Sequence, residues 1–121
     1  MRILVADDSP LVRQGVTRTL SNENGWIVCG EAIDGNEVAF KARELQPDLV
    51  LLDIRMPGLS GLEAARLLRQ EIPAIKILIM SQYERRELLP RVLEAGADDC
   101  IDKAKLGTDL VPAVKALMNW H

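Results

Sequence analysis

Five polar residues with reactive or charged side chains lie at the ends of apolar runs in this sequence. They are Asp7 and Asp8 after residues 3–6, Asp53 after 49–52, Ser81 after 77–80, and Lys103 just beyond a shorter run. Three carboxylates gathered in one place repel each other unless a cation joins them, and an all-oxygen set without histidine or cysteine suits magnesium better than zinc. A carboxylate nucleophile, a magnesium ion, a lysine and a hydroxyl are together what phosphoryl transfer requires.

The segments that must position these residues alternate between two patterns. The runs at 3–6, 49–52 and 77–80 are continuously apolar, as is typical of strands buried on both faces, and the mixed runs at 26–29 and 100–101 suit the edges of the same sheet. Helical patterns lie between them. The order βαβαβαβαβα predicts an α/β fold with a doubly wound parallel sheet of five strands and five helices on its two faces. Ligands bind such sheets at the carboxyl ends of the strands, where the five polar residues fall.

Capping residues and glycines mark the ends of the predicted helices. Ser9 and Pro10 are typical of an N-cap and a first helical position, and Gly96 is typical of a residue that closes a helix. The second and third helices are predicted over 36–46 and 61–71.

Two prolines restrict the last two helices. Inside a helix, Pro90 would remove one hydrogen bond and clash with the preceding turn, so the fourth helix is predicted to begin near Leu88 or Leu89. Such a late start indicates either that the segment before the helix is irregular because its movement serves the function, or simply that the helix is shorter. The fifth helix is predicted to begin at Thr108, with Pro112 in its opening turn.

Length and composition narrow the class of protein. A chain of 121 residues, 48% apolar and 27% charged, predicts one domain over 1–121, and a net charge of −3 gives no broad footprint for nucleic acid. Cys29 and Cys100 are too few for a disulfide framework or a zinc site. With no run of about 18 apolar residues and no signal-peptide pattern, we expect no membrane span and a cytoplasmic location. Trp120 either caps the last helix or begins a linker.

The motifs around the polar residues are similar to those of one protein family. The segments LVADD, LVLLDIRMPGLSGLEAARLLR, ILIMS and LEAGADD, together with Asp102 and Lys103, resemble the receiver domain of bacterial two-component response regulators. The resemblance covers essentially the whole chain, and ADDSPLVRQGV and SGLEAARLL are most similar to receivers of LuxR-type transcriptional regulators. It implies a flavodoxin-like (CheY-like) fold with strand order 2-1-3-4-5. No helix-turn-helix pattern follows the last predicted helix, so we expect any DNA-binding output domain to be absent from this chain, which is either a stand-alone receiver or a receiver excised from a longer regulator.

The resemblance implies a role for each polar residue. Asp53 would accept the phosphoryl group, Lys103 would bind its oxygens, and Ser81 would be the hydroxyl that moves toward it. The Mg²⁺ ligands that it implies are Asp7, Asp8, Asp53 and the backbone carbonyl of Arg55. A sensor histidine kinase would supply the phosphate, and phosphorylation would promote a homodimer and control an output such as transcription. Such domains promote only their own phosphorylation and dephosphorylation and are otherwise not enzymes.

Several positions differ from the usual receiver pattern or modify it. Gln82 stands where a small residue usually lines the path to the phosphoacceptor, which predicts narrow access and slow phosphorylation by small donors. Cys100 replaces an aromatic ring that often moves behind the switch hydroxyl, and Tyr83 either takes part of that role or only packs. Arg55 and Tyr83 are expected to flank the phosphoryl group and tune its loss, unless they only face solvent. Ala104 after the lysine predicts a trans peptide bond.

Two other functions stay open on the sequence alone. A pseudo-receiver would keep the fold and act as a protein-interaction module without phosphate; the complete set of polar residues argues against it, whereas Gln82 and Cys100 keep it open. A phosphatase with an aspartyl-phosphate intermediate typically has a second aspartate two residues after the nucleophile. Arg55 occupies that position here.

Overall fold

A computed structural model describes residues 1–118 and contains a parallel sheet flanked by helices. The strands are β1 (Arg2–Ala6), β2 (Ile27–Ala32), β3 (Leu49–Asp53), β4 (Lys76–Ser81) and β5 (Asp99–Asp102). The α-helices are α1 (Pro10–Ser21), α2 (Gly35–Leu45), α3 (Gly61–Glu71), α4 (Arg85–Glu94) and α5 (Leu106–Met118). The strand order β2-β1-β3-β4-β5 confirms the predicted fold class. Trp120, with its predicted cap or linker, lies outside the described residues.

The helices cover both faces of the sheet, so each central strand is buried on its two sides. Alternate residues of one strand therefore enter different cores: Leu4 packs in the cluster with α2, α3 and α4, whereas Ile3 packs in the cluster with α1 and α5. This double burial explains why residues 3–6 of β1, 49–52 of β3 and 77–80 of β4 are continuously apolar. Within residues 1–118, no helix combines the length and apolarity needed to cross a membrane.

Side-chain caps begin the first three helices at or near the predicted residues. Ser9 accepts a hydrogen bond from the Val12 backbone and caps α1 as predicted. Ser60 and Glu63 form a reciprocal capping box at α3, which satisfies two backbone donors of its first turn. These caps fix where each helix leaves the loop that follows its strand.

The predicted start of α4 near Leu88 or Leu89 is wrong, because the helix begins at Arg85 and contains Pro90 in its interior. Proline has no backbone N–H, so the Arg86 carbonyl lacks its usual helical donor. Arg86 is exposed, and water can bond this carbonyl instead. The cost of the proline is therefore small enough for the helix to continue through it.

The predicted start of α5 at Thr108 is also wrong. A 3₁₀ turn over Lys103–Lys105 leads directly into a helix that begins at Leu106, so Pro112 lies beyond the opening turn. Asp102 initiates this earlier turn, since its side chain accepts a hydrogen bond from the Ala104 backbone. The carbonyl of Thr108, an exposed residue, lacks the helical donor that Pro112 cannot supply.

One arginine, Arg69, links several elements at the amino ends of the strands, opposite the carboxyl edge of the sheet. The Arg69 guanidinium, on α3, donates hydrogen bonds to the carbonyls of Pro73, Ile75 and Gly96 and to the Asp98 carboxylate. The same carboxylate accepts a hydrogen bond from the Ile77 backbone. This network joins α3, β4 and the turn before β5, and therefore fixes the spacing of the last two strands.

Candidate functional site

The polar residues that follow the strands meet at the carboxyl edge of the sheet. Lys103 begins the turn after β5, and its ammonium lies 2.8 Å from Asp7 Oδ2 and 3.1 Å from Asp53 Oδ1. Asp7 follows β1, and Asp53 is the last residue of β3, the neighbouring strand. One lysine therefore bridges two carboxylates that are 0% and 5% exposed.

Three carboxylates at this edge form a set that suits a divalent cation. Oxygens of Asp7, Asp8 and Asp53 lie within 4.8 Å of one another, with Asp8 exposed and the other two buried. The Asp7 Oδ1 atom accepts a hydrogen bond from the Ser9 backbone at 2.8 Å, whereas Oδ2 has the Lys103 ammonium beside it and no other hydrogen-bond partner. An incompletely satisfied buried carboxylate within an all-oxygen set fits Mg²⁺.

Burial and charge set the protonation of the central pair. Burial raises the pKa of Asp53, the negative charge of Asp7 raises it further, and Lys103 and the Arg55 backbone N–H only partly oppose this shift. For Lys103, burial acts to lower the pKa, but its hydrogen bonds and ion pairs with Asp7 and Asp53 outweigh burial and raise the pKa. Lys103 therefore stays charged beside a carboxylate whose ionised form is costly.

Ser81 lies at the same edge and turns its side chain back on its own loop. It is the last residue of β4 and is buried, and its Oγ accepts a hydrogen bond of 2.9 Å from the Tyr83 backbone N–H. Because β4 neighbours β3, the hydroxyl emerges beside the strand that carries Asp53. In this arrangement the Ser81 hydroxyl oxygen is hydrogen-bonded to the loop after β4, and not to Asp53 or Lys103.

Arg55, Gln82 and Tyr83 lie exposed on the two loops that leave this edge. The Arg55 guanidinium donates a hydrogen bond to Tyr83 Oη and lies 5.6 Å from the centre of its ring. This contact joins the loop after β3 to the loop after β4. The peptide bond after Lys103 is trans as predicted, since no cis bond occurs within residues 1–118.

Cys100 lies apart from the other predicted residues. It is buried in the core that includes α4 residues, and its Sγ is 3.9 Å from the Arg85 carbonyl at the start of α4. Burial raises the pKa of this thiol to about 11. The side chain is therefore an un-ionised apolar group at physiological pH, and it packs against the start of α4.

Two residues that contact the site were not assigned a role there from the sequence. Arg13, in the first turn of α1, donates a hydrogen bond of 2.7 Å to the Asp7 carbonyl and pairs with Glu31 of β2. A Cβ on Gly61 would lie only 2.3 Å from the Asp53 carbonyl oxygen, so the first residue of α3 must be glycine to pack against the end of β3. Two sequence features could have indicated these roles: an arginine one helical turn after the capping Ser9, and a glycine at the first position of a predicted helix.

Comparison with known proteins gives one consistent result. Residues 3–115 match the family described as the response regulator receiver domain. The chain is 43% identical over 115 residues to response regulator GacA of Pseudomonas viridiflava, covering 95% of this chain and 54% of that protein. It is 34% identical over 116 residues to the uncharacterized transcriptional regulatory protein YxjL of Bacillus subtilis, covering 96% and 53%. It thus spans about half the length of these relatives.

A solved structure gives the same result as the sequence relatives. The crystal structure of a LuxR-family two-component response regulator from Aurantimonas sp. SI85-9A1 superposes with a TM-score of 0.92 at 36% identity. The superposition covers 98% of this chain and 84% of that one. The predicted resemblance to receivers, including those of LuxR type, is therefore confirmed.

Proposed function

The chain belongs to the response regulator receiver domain family of two-component systems, and we propose that it accepts a phosphoryl group on Asp53 and changes conformation in response. Receiver domains of this family take that group from histidine kinases, so the proposed donor is a phosphohistidine of a sensor kinase. The proposed activity is limited to phosphorylation and dephosphorylation of this chain itself.

The proposed transfer is a single displacement at phosphorus. A carboxylate oxygen of Asp53 forms a bond to phosphorus while the P–N bond of the donor breaks, and the imidazole nitrogen keeps the electron pair of that bond. Lys103 then binds phosphoryl oxygens, and the O–H of Ser81, whose oxygen accepts from the Tyr83 backbone, donates to another. Water later hydrolyses the acyl phosphate by attack in line.

Residues for Mg²⁺ are available beside the acceptor. Asp7, Asp8, Asp53 and the backbone carbonyl of Arg55 would hold the cation, and when bound it supplies positive charge that neutralises the phosphoryl oxygens. The residues of the chain do the rest. Asp7 orients Lys103 through their 2.8 Å ion pair, and the buried surroundings of Asp53 limit the access of water.

The observation that best supports the proposal is the Lys103 ammonium, which lies within 3.1 Å of both Asp7 and Asp53. A lysine that touches the acceptor carboxylate already lies where negative charge from a phosphoryl group would arrive. The pseudo-receiver alternative has no comparable support in the described residues, since the nucleophile, the acidic pair and the lysine are all present and Lys103 contacts both Asp7 and Asp53.

We further propose that the output is control of transcription through a separate DNA-binding domain and a phosphorylation-dependent homodimer. The similarity to YxjL, a protein named as a transcriptional regulatory protein, supports this output. A net charge of −3 provides no overall electrostatic attraction to DNA, which agrees with DNA binding by a separate domain.

Intact-mass spectrometry tests the central step. The chain is incubated with Mg²⁺ and acetyl phosphate, alongside Asp53→Asn and Asp48→Asn, an exposed aspartate at the other end of β3. We expect one phosphoryl adduct in the wild type and in Asp48→Asn, and none in Asp53→Asn. An adduct that survives in Asp53→Asn contradicts the assignment of the acceptor. No adduct in the wild type, with acetyl phosphate or with a histidine kinase, contradicts the proposed function.

A further inference from the structure

Arg13 of α1 connects the acidic loop after β1 to the edge strand β2. One N–H of its guanidinium donates a hydrogen bond of 2.7 Å to the Asp7 carbonyl, and its Nε donates one of 3.0 Å to the Glu31 carboxylate. The Arg13 side chain is 17% exposed and that of Glu31 is 46% exposed. An ion pair with so exposed a partner adds little stability. It does hold the planar guanidinium where another of its N–H groups reaches Asp7.

The placement of Arg13 opposes the dipole of the helix that carries it. The N-terminus of an α-helix has a partial positive charge, so acidic residues stabilise the first turn and basic residues do not. The first turn of α1 contains no acidic residue, yet it contains Arg13. The stability of the helix therefore does not account for an arginine at this position, and a residue that departs from a local rule in this way is expected to serve a function.

The carbonyl that Arg13 contacts belongs to the peptide bond between Asp7 and Asp8. This bond is planar, so a hydrogen bond to its carbonyl also fixes where the Asp8 N–H and Cα lie. The Asp7 carboxylate is held separately, by the Ser9 backbone and by Lys103. Asp8 is exposed, and no hydrogen bond or ion pair to its carboxylate occurs within residues 1–118. The direction of the Asp8 carboxylate therefore depends on its backbone, which Arg13 holds.

From this geometry we propose that Arg13 is a positioning residue for Mg²⁺. By holding the peptide bond between Asp7 and Asp8, it keeps the Asp8 carboxylate within the set of oxygens, from Asp7, Asp8 and Asp53, that lie within 4.8 Å of one another. This inference rests on the proposed Mg²⁺-assisted phosphorylation of Asp53. It adds that the affinity for the cation depends on an arginine that is not one of its ligands.

Charge and position make opposite predictions for this arginine. The guanidinium is positive, so its charge alone repels a divalent cation, and its removal would strengthen Mg²⁺ binding. If Arg13 positions Asp8, its removal weakens binding, because a ligand that samples several directions must be ordered when the cation binds. Residues that orient metal ligands typically contribute about 10–100-fold to metal affinity. We expect the lower end, about 10-fold, because Arg13 acts on one of three carboxylates.

A ¹H–¹⁵N NMR titration of the full chain with MgCl₂ measures this effect. The Asp8 amide shares a peptide bond with the Asp7 carbonyl, so its chemical shift in the metal-free chain reports the hydrogen bond from Arg13. We expect Arg13→Ala to move this signal and to raise the Kd for Mg²⁺ about 10-fold. Arg43→Ala breaks a comparable arginine–glutamate pair, between Arg43 of α2 and Glu71 of α3, and should change neither quantity.

Glu31→Gln tests the residue that anchors Arg13. Glu31 is exposed, so this variant is expected to fold even if Arg13→Ala does not. It should raise the Kd by a smaller factor than Arg13→Ala, in high as well as low KCl, whereas an effect of charge alone would be screened by salt. In the Arg13→Ala background it should have no further effect, because the residue that it anchors is gone. Glu71→Gln is the matched control and should leave the Kd unchanged.

The outcomes separate this inference from the function on which it rests. A wild type that binds Mg²⁺, with an Arg13→Ala variant that binds it equally or more tightly, overturns the role of Arg13 and leaves phosphorylation of Asp53 intact. Additive effects of Arg13→Ala and Glu31→Gln, or an effect of Glu31→Gln that disappears in high KCl, also overturn it. A wild type that neither responds to MgCl₂ nor forms a phosphoryl adduct contradicts the proposed function first.

Discussion

Replacing Gly61 and Gly15 by alanine should change stability in opposite directions. Both glycines are in α-helices, at the first position of α3 and in the interior of α1. A Cβ on Gly61 would lie 2.3 Å from the Asp53 carbonyl oxygen and 2.7 Å from Ile54 Cα, whereas a Cβ on Gly15 would have no neighbour within 4 Å. The methyl group of alanine would therefore clash with backbone atoms at position 61 and would lie in open space at position 15.

The magnitudes follow from these distances. The Cβ of Gly61→Ala must move from 2.3 Å to at least 3.0 Å from the Asp53 oxygen, which displaces the start of α3 and stretches the 2.9 Å hydrogen bond from Gly61 N–H to the Ile54 carbonyl. Overpacking of this kind costs about 1–3 kcal/mol. The lower entropy of unfolded alanine returns up to about 1 kcal/mol, so the net loss is about 1–2 kcal/mol. For Gly15→Ala we expect a gain of about 0.5–1 kcal/mol.

Equilibrium urea unfolding, followed by far-ultraviolet circular dichroism, measures both changes. The free energy of unfolding should fall for Gly61→Ala and rise for Gly15→Ala, with the same slope against urea concentration as the wild type. Because the Asp53 backbone is what the new methyl group contacts, Gly61→Ala should also accept a phosphoryl group more slowly. A Gly61→Ala variant as stable as Gly15→Ala would refute the claim that α3 packs directly against the end of β3.

Three further predictions concern the site and its surroundings. Asp53→Asn should raise the melting temperature in metal-free buffer at pH 7 by a few degrees, because burial and Asp7 raise the pKa of Asp53 and make its ionised form costly. The gain should vanish below pH 3.8, the ordinary pKa of the carboxyl in the unfolded chain, where the side chain is neutral in both states. The exposed control Glu94→Gln should show neither effect in thermal scans. Gln82→Ala should speed phosphorylation by acetyl phosphate several-fold in a mass-spectrometric time course, and equal rates for Gln82→Ala, the exposed control Gln70→Ala and the wild type would show that Gln82 does not restrict access. Cys100 should react with iodoacetamide at pH 8 about 100-fold more slowly than an ordinary thiol, since burial raises its pKa from 9.0 to about 11; peptide mapping measures this, with the half-buried Cys29 as internal comparison, and rapid labelling of Cys100 in the native chain would contradict its burial. The same pKa shift stabilises the folded chain below pH 9, and this contribution is lost as the pH rises toward 11.

The sheet was predictable because its determinants are local in sequence. Residues 49–52 are apolar without interruption, as is typical of a strand covered on both faces, and the polar Asp53 that follows marks the carboxyl end of the strand. Parallel strands carry their carboxyl ends to one edge, so the pattern alone brought Asp7, Asp53 and Lys103 to the same region. Their assigned roles in phosphoryl transfer stay predictions until the acceptor is tested.

Other features depend on contacts that no local pattern contains. The two ion pairs of Lys103 and the bond between Arg55 and Tyr83 join residues from different loops, and their geometry depends on how the sheet twists. The starts of α4 and α5 were misplaced for a different reason. The cost of a proline within a helix was expected to prevent α4 from continuing through Pro90, but α4 accommodates it at a place where Arg86, whose carbonyl loses its donor, is an exposed residue.

Pro90 also divides the hydrogen-bond pattern of α4 into two parts. The turn before it lacks the hydrogen bond to the Arg86 carbonyl and is joined to β5 through the ion pair of Arg85 with Asp99, whereas the part after it is anchored by Val92, which is fully buried. Opening the part before Pro90 therefore breaks few hydrogen bonds, although it also exposes the buried side chain of Leu88. In hydrogen exchange, amide protons before Pro90 should exchange through this local opening, and those around Val92 should exchange only when the whole domain unfolds.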